Sequence, residues 1–164
     1  MSVTFEQGWR PGVIGEIASL HGVYYAREWG FGAFFEAKVA AELAAFVSRY
    51  DPARDLLLTA RRDGAFLASV TIDGSDPDLA SGESHLRWFI TSDAARGSGV
   101  GGGLMTKAMD FLREAGFRSC YLTTFQGLDA ARGLYERHGF ELTVESDSET
   151  WGVTVREQRF ELAL

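Results

Sequence analysis

The chain has 164 residues, 46% of them hydrophobic and 13% aromatic, with a formal net charge of -7. That is one domain's worth of chain with ample apolar material for a core, which excludes a disordered protein. The acidic balance excludes nucleic acid or an anionic membrane as the main partner, since both demand clustered Lys and Arg.

The amino terminus, Met1 to Glu6, lacks the charged and apolar regions of a secretory signal, and no apolar run approaches the length that crosses a bilayer. A cytoplasmic location is expected. Val3 to Phe5 reads as a short strand, ended by Gly8 and the Arg10-Pro11-Gly12 turn. In the helix that follows, Ile14, Ile17, Ala18, His21, Tyr25 and Glu28 share one face, until Trp29-Gly30-Phe31-Gly32 breaks it. A second helix carries Phe35, Val39, Leu43, Phe46, Val47 and Tyr50 on one stripe and closes at Asp51-Pro52.

Leu56 to Arg61 and Phe66 to Ile72 read as an antiparallel hairpin around Asp63-Gly64, a pair suited to the positive φ of a tight turn. Asp73 to Gly82 reads as a solvated surface loop, and His85 to Thr91 as the next strand. The helix Gly99 to Ala115 presents Val100, Leu104, Ala108, Phe111, Leu112 and Ala115 as its buried stripe, with Gly116 as cap. Ser119 to Phe125 is a strand expected to run parallel to the preceding one, as strand-helix-strand units do. The single cysteine, Cys120, lies within it as a small apolar group, so no intrachain disulfide and no metal site is expected. Leu128 to His138 is a short helix capped by Gly139. Phe140 to Val144 and Val153 to Phe160 form a final antiparallel pair, linked by the polar run Glu145 to Thr150.

The run Arg96-Gly97-Ser98-Gly99-Val100-Gly101-Gly102-Gly103 joins a strand to an amphipathic helix. Glycines let the backbone approach a ligand closely, and amides at a helix start have no partner within the helix, so the stretch is an anion cradle suited to a pyrophosphate. A Walker loop is excluded because Gly101 is followed by Gly102 and Gly103, not Lys and Ser or Thr. Gly97, Gly99 and Gly102 match the dinucleotide fingerprint literally, but the acid it requires about twenty residues on is absent, where Cys120 stands.

The spacing Arg96-x-x-Gly99-x-Gly101 resembles motif A of the GCN5-related N-acetyltransferases, the GNAT family. The downstream run Ala131-Arg132-Gly133-Leu134-Tyr135-Glu136-Arg137-His138-Gly139-Phe140 resembles its motif B. The likeness covers roughly residues 55 to 162. It implies an α/β fold, a mixed central sheet in the order β-α-α-β-β-β-α-β-α-β-β, with helices on both faces and a splay between the fourth and fifth strands. Residues His21 to Gly30, Asp51 to Arg54 and Trp151-Gly152 further resemble the acetyltransferase half of bacterial MarR-GNAT fusion regulators. The expectation is a free-standing acetyltransferase domain over residues 1–164, with no regulatory role carried over.

The resemblance implies acetyl-coenzyme A as cosubstrate, its phosphates held by Arg96, Gly97, Ser98, Gly99, Gly101 and Gly102. The backbone of Phe89, Ile90 and Thr91 would pair with the pantetheine arm. Tyr135 matches the family's general acid. Glu83 and then His85, which alternate with Arg87 along one side of a strand, are the candidate bases, and His21, Tyr25 and Glu28 would meet the acceptor. Leu128 stands where many members carry an asparagine that helps bind the cofactor. The expected reaction is direct transfer to a primary amine of a small molecule or peptide. A non-catalytic acyl-coenzyme A sensor is the alternative, and the resemblance leaves room for a homodimer.

Overall fold

Strand β1 (Val3–Gln7) leads through a turn at Gly8 to Gly12 into two helices, α1 (Val13–Trp29) and α2 (Ala33–Ser48), and the computed structural model describes residues 2–164 in all. Helix α1 buries Val13, Ile17, Ala18, His21 and Gly22, the stripe that spacings of three and four residues produce. It ends at Gly30, whose left-handed φ of 70° lets its amide reach back to the carbonyls of Tyr25 and Ala26. Helix α2 buries Phe35, Val39, Leu43 and Phe46 as the sequence implies.

The hairpin β2 (Leu56–Arg62) and β3 (Ala65–Asp73) turns on Asp63 and Gly64, both at positive φ, and is followed by β4 (Glu83–Thr91). A 3-10 turn at Asp93–Ala95 then delivers the glycine run to α3 (Val100–Glu114). The chain closes with β5 (Ser119–Phe125), α4 (Asp129–Arg137), β6 (Glu141–Ser148) and β7 (Val155–Ala163). One sheet of seven strands results, in the order β1-β2-β3-β4-β5-β7-β6. β7 sits between β5 and β6, and only the β4–β5 pair is parallel among the described strands.

The two faces of the sheet hold separate cores. Leu56, Leu58 and Ala60 pack with α3 on one side, and Leu57 packs with α1 and α2 on the other, as the two-residue period of a strand dictates. Strand β4 breaks that period. Leu86 belongs to the α3 core, yet Trp88, two residues on, belongs to the α1–α2 core, and Phe89 packs back against the first. The cause is a β-bulge, since Trp88 and Phe89 together oppose the single Val70, and Trp88 takes a left-handed φ of 48°. The Ser69 hydroxyl donates to the Trp88 carbonyl at 2.9 Å and fixes the bulge.

Three expectations are corrected. The buried face of α3 is centred on Leu104, Met105, Ala108, Met109 and Leu112, while Phe111 and Ala115 pack at its edge. The stripe read along the sequence was rotated because Met105 and Met109 are buried in the core against the sheet. The polar run after Val144 is no linker: β6 continues to Ser148, because pairing with β7 and the ion pairs of Arg156 with Glu145 and Asp147 support polar residues in a ladder. Asp73 is not solvated. It is fully buried at the end of β3, held by both terminal nitrogens of Arg49 at 2.7 Å and by Arg87 at 3.2 Å.

Candidate active site

The parallel pairing of β4 with β5 lasts only three rungs, from Glu83 opposite Ser119 to His85 opposite Tyr121. β4 then runs on to Thr91 along β3, and β5 to Phe125 along β7, so beyond His85 the two strands part. The bulge at Trp88 bends β4 just where this wedge opens, and a cleft of about 460 Å³ occupies it. Its lining includes His85 to Thr91 of β4, Leu122 to Phe125 of β5, and Leu128 to Ala131 and Tyr135 from the start and body of α4. Helices α1 and α2 close it with His21, Tyr24, Tyr25, Phe35, Val39 and Glu42, and Trp151 reaches in from the β6–β7 turn.

At one end lies the glycine run. Gly97 and Gly99 adopt left-handed φ of 71° and 81°, a conformation that L side chains rarely take. No side chain caps α3, its first turn carries no acid, and its first internal bond is from the Gly103 amide to the Gly99 carbonyl. The amides of Gly99 to Gly102 therefore have no helical partner at the positive end of the helix, whereas the Ser98 amide, expected to join them, donates to the Ala95 carbonyl at 3.2 Å. The three consecutive glycines have different reasons. A Cβ on Gly103 would lie 2.9 Å from the Phe5 ring, so Gly103 serves helix–sheet packing. A Cβ on Gly101 would crowd Phe89 at 3.3 Å and Thr91 at 3.6 Å in the wedge, and Gly102 faces open space. An extended thioester cosubstrate with a pyrophosphate fits this arrangement, the phosphates at the uncapped helix start and the arm along the unpaired edge of β4. Arg96 lines the same end, its guanidinium 5.0 Å from the Tyr24 ring centroid.

At the floor, Tyr135 is buried among Phe89, Phe140 and Phe160. Burial, and to a lesser degree the neighbouring Tyr25, raise its hydroxyl well above the ordinary phenol range. Its side chain lines the cleft. Tyr25, raised likewise by burial, stacks against Phe31 and meets Phe35 at a tilt.

His21 is buried, and its Nδ1 lies 2.8 Å from the Ile17 carbonyl, which can only accept, so Nδ1 carries the proton and Nε2 a lone pair. Burial lowers its pKa to about 4. His85 is lowered to about 3, by burial first and by Arg87 second, and lies against Tyr121. Both rings are neutral at physiological pH. Glu83 stands apart at the closed end of the wedge, outside the cleft lining, paired with Arg159 at 3.4 Å. Glu28 is also outside it, half exposed and paired with Arg27 at 2.9 Å.

The model of the acetyltransferase (GNAT) family matches residues 16–140, from early α1 through the end of α4. The chain belongs to the GNAT acetyltransferase family. GNAT relatives include the uncharacterized N-acetyltransferase YjgM of Escherichia coli (strain K12), 40% identical over 78 residues. That match spans 48% of this chain and 43% of YjgM. Among solved structures, yncA from Salmonella typhimurium, determined with its cofactor acetyl-CoA, superposes with a TM-score of 0.77 at 15% identity, over 100% of this chain and 95% of that one. The ribosomal-protein-alanine N-acetyltransferase of Brucella melitensis gives 0.76 at 14%, over 100% of both. At these identities the two structures show a shared GNAT fold.

Sequence reading missed the bulge at Trp88, since no glycine announces it. It also missed Tyr24, Glu42, Phe125 and Trp151 as cleft residues. Their helical or strand spacing marks them as partly buried, but only the packing of four separate elements brings them to one cavity.

Proposed function

We propose that the protein transfers the acetyl group of acetyl-coenzyme A to a primary amine of a small molecule or peptide, by direct attack in a ternary complex. The observation that carries this reading is a parted strand pair with an uncapped helix start at one end and a buried, protonated tyrosine in its floor. Acetyl-coenzyme A, when bound, supplies the activated acetyl thioester. The amides of Gly97, Gly99, Gly101 and Gly102, with Arg96, would hold its phosphates. Phe89, Ile90 and Thr91 offer the edge of β4 that β5 has left.

Tyr135 enters the step protonated; as the nitrogen–carbon bond forms and the carbon–sulfur bond breaks, its hydroxyl would pass a proton to the leaving sulfur and regain one from the attacking nitrogen. The histidines play a different part. A primary ammonium near pKa 10 would have to give its proton to an imidazole at about 4, which is uphill by about 8 kcal/mol. His21 and His85 therefore act as acceptors that orient an amine arriving neutral, and the apolar walls favour that neutral form. Glu83, outside the lining, has no direct contact in this scheme.

Thiol release followed with acetyl-coenzyme A and a panel of amines tests the reading. Turnover that depends on Tyr135 supports it. Calorimetric binding of acetyl-coenzyme A with no thiol release from any amine would leave the sensor reading in its place.

A further inference from the structure

The acceptor half of the cleft is walled by rings. Tyr25, Phe35, Phe125 and Trp151 all line it, with Phe125 and Trp151 centroids 5.4 Å apart and Phe35 and Trp151 5.8 Å apart. Trp151 is held in place by its indole N–H, which donates to Glu157 at 2.9 Å. A flat apolar body buried among such rings gains both area and favourable edge and stacking contacts.

The charges at the same wall are already satisfied. Glu42 is the acid that reaches the cleft from the helices, and it is bound by Lys38 at 2.5 Å and by Arg87 at 2.7 Å. Lys38 also lies 5.5 Å from the Trp151 ring centroid. The other acid in the lining, Asp129, is exposed at the first residue of α4. A second ammonium at this wall would find Glu42 already engaged by Lys38 and Arg87, with its nearest unpaired acid at the exposed start of α4, and a charge left unpaired at an apolar wall is costly.

We infer that the acceptor is a monoamine carried on an aromatic or bulky apolar body, its ring seated against Phe35, Phe125 and Trp151 and its neutral nitrogen near His21 and Tyr135, and that polyamines are disfavoured. This rests on the acetyl-transfer reading above. The neutral nitrogen matches the imidazole lone pair fixed at His21 Nε2, and the rings supply binding energy that a short alkylamine lacks.

The test is steady-state thiol release with 2-phenylethylamine, tryptamine, ethylamine and spermidine, on the wild type and on Trp151→Leu. The aryl amines are expected to exceed ethylamine in kcat/KM by about thirtyfold or more, the yield of burying one ring, and spermidine by a similar factor. Trp151→Leu should lower kcat/KM for the aryl amines by about tenfold through KM and so narrow their lead over ethylamine, with acetyl-coenzyme A affinity by calorimetry unchanged. Parity of ethylamine with the aryl amines, or a preference for spermidine, overturns this inference while leaving acetyl transfer intact. Bound acetyl-coenzyme A with no turnover on any of the four overturns both.

Discussion

The imidazole of His85 lies face to face with the ring of Tyr121, centroids 4.1 Å apart and planes within 14°. The two residues are also the last paired rung of β4 and β5, and Arg159 covers the other face of Tyr121 at 3.9 Å. The stack closes the wedge at the point where it begins to open. Tyr121→Leu should therefore cost about 1 kcal/mol beyond lost area, read as a shift in the urea unfolding midpoint, and an unchanged midpoint would remove the stack from the account of the wedge.

Gly101 stands where a side chain would enter the wedge, its Cβ 3.3 Å from Phe89. Gly101→Val adds further methyl groups beside Phe89 and Thr91. Affinity for acetyl-coenzyme A should fall at least about tenfold by calorimetry, with a cooperative thermal transition retained. Wild-type affinity in this variant would move the cofactor arm elsewhere.

Tyr135→Phe keeps the ring packed against Phe89, Phe140 and Phe160 and removes only the hydroxyl. Stability should stay within about 0.5 kcal/mol of wild type, and turnover should fall by about ten- to ten-thousand-fold. A full-speed Tyr135→Phe enzyme would assign the proton to another donor.

His21 and His85 are neutral in the folded chain, at about 4 and about 3 against an ordinary 6.5. Unfolded, both bind protons as the pH drops through 6.5, so the unfolded state holds more protons and stability falls with falling pH. His138 shifts in the same direction through partial burial. Between pH 7 and pH 5 the two buried rings should remove about 4 kcal/mol, measured by urea titration. The lowered carboxylates of Asp73 and Glu16 act only below about pH 4.5, where their unfolded forms take up protons. His21→Gln should flatten the slope over this range by about 1 kcal/mol per pH unit, and a wild-type slope near zero would mean the rings are not held neutral.

Asp73 anchors Arg49 and Arg87 from a fully buried position. Asp73→Asn removes the charge that both guanidinium groups face, and should cost about 3 kcal/mol, toward the lower end for a broken buried pair because Arg49 keeps contact with solvent. Chemical denaturation measures it. Arg87 also lines the cleft, so the acceptor KM should rise in the same variant.

What could be read along the chain was whatever rests on local periodicity and backbone freedom. The stripe Phe35, Val39, Leu43 and Phe46, the Asp63-Gly64 turn and the glycine-rich start of α3 each depend on residues within a few positions, and each is found as expected. Where the local pattern weakened, the reading slipped. Met105 and Met109 were passed over because apolar residues surround α3 broadly, and the strand character of Glu145 to Ser148 comes from pairing with β7 across the sheet.

The sequence by itself determined the elements, their order and the glycine-rich start of α3, because helix and strand periods, caps and glycine φ preferences are short-range effects written in neighbouring residues. Only the tertiary structure decided that Asp73 is buried, that Trp88 bulges, and that His21, Arg87, Tyr135 and Trp151 share one cleft while Glu83 and Glu28 do not. Those facts follow from which strands pair and where a pairing stops. That balance is struck between hydrogen bonds and packing contacts made by residues far apart in the chain, which no local pattern records.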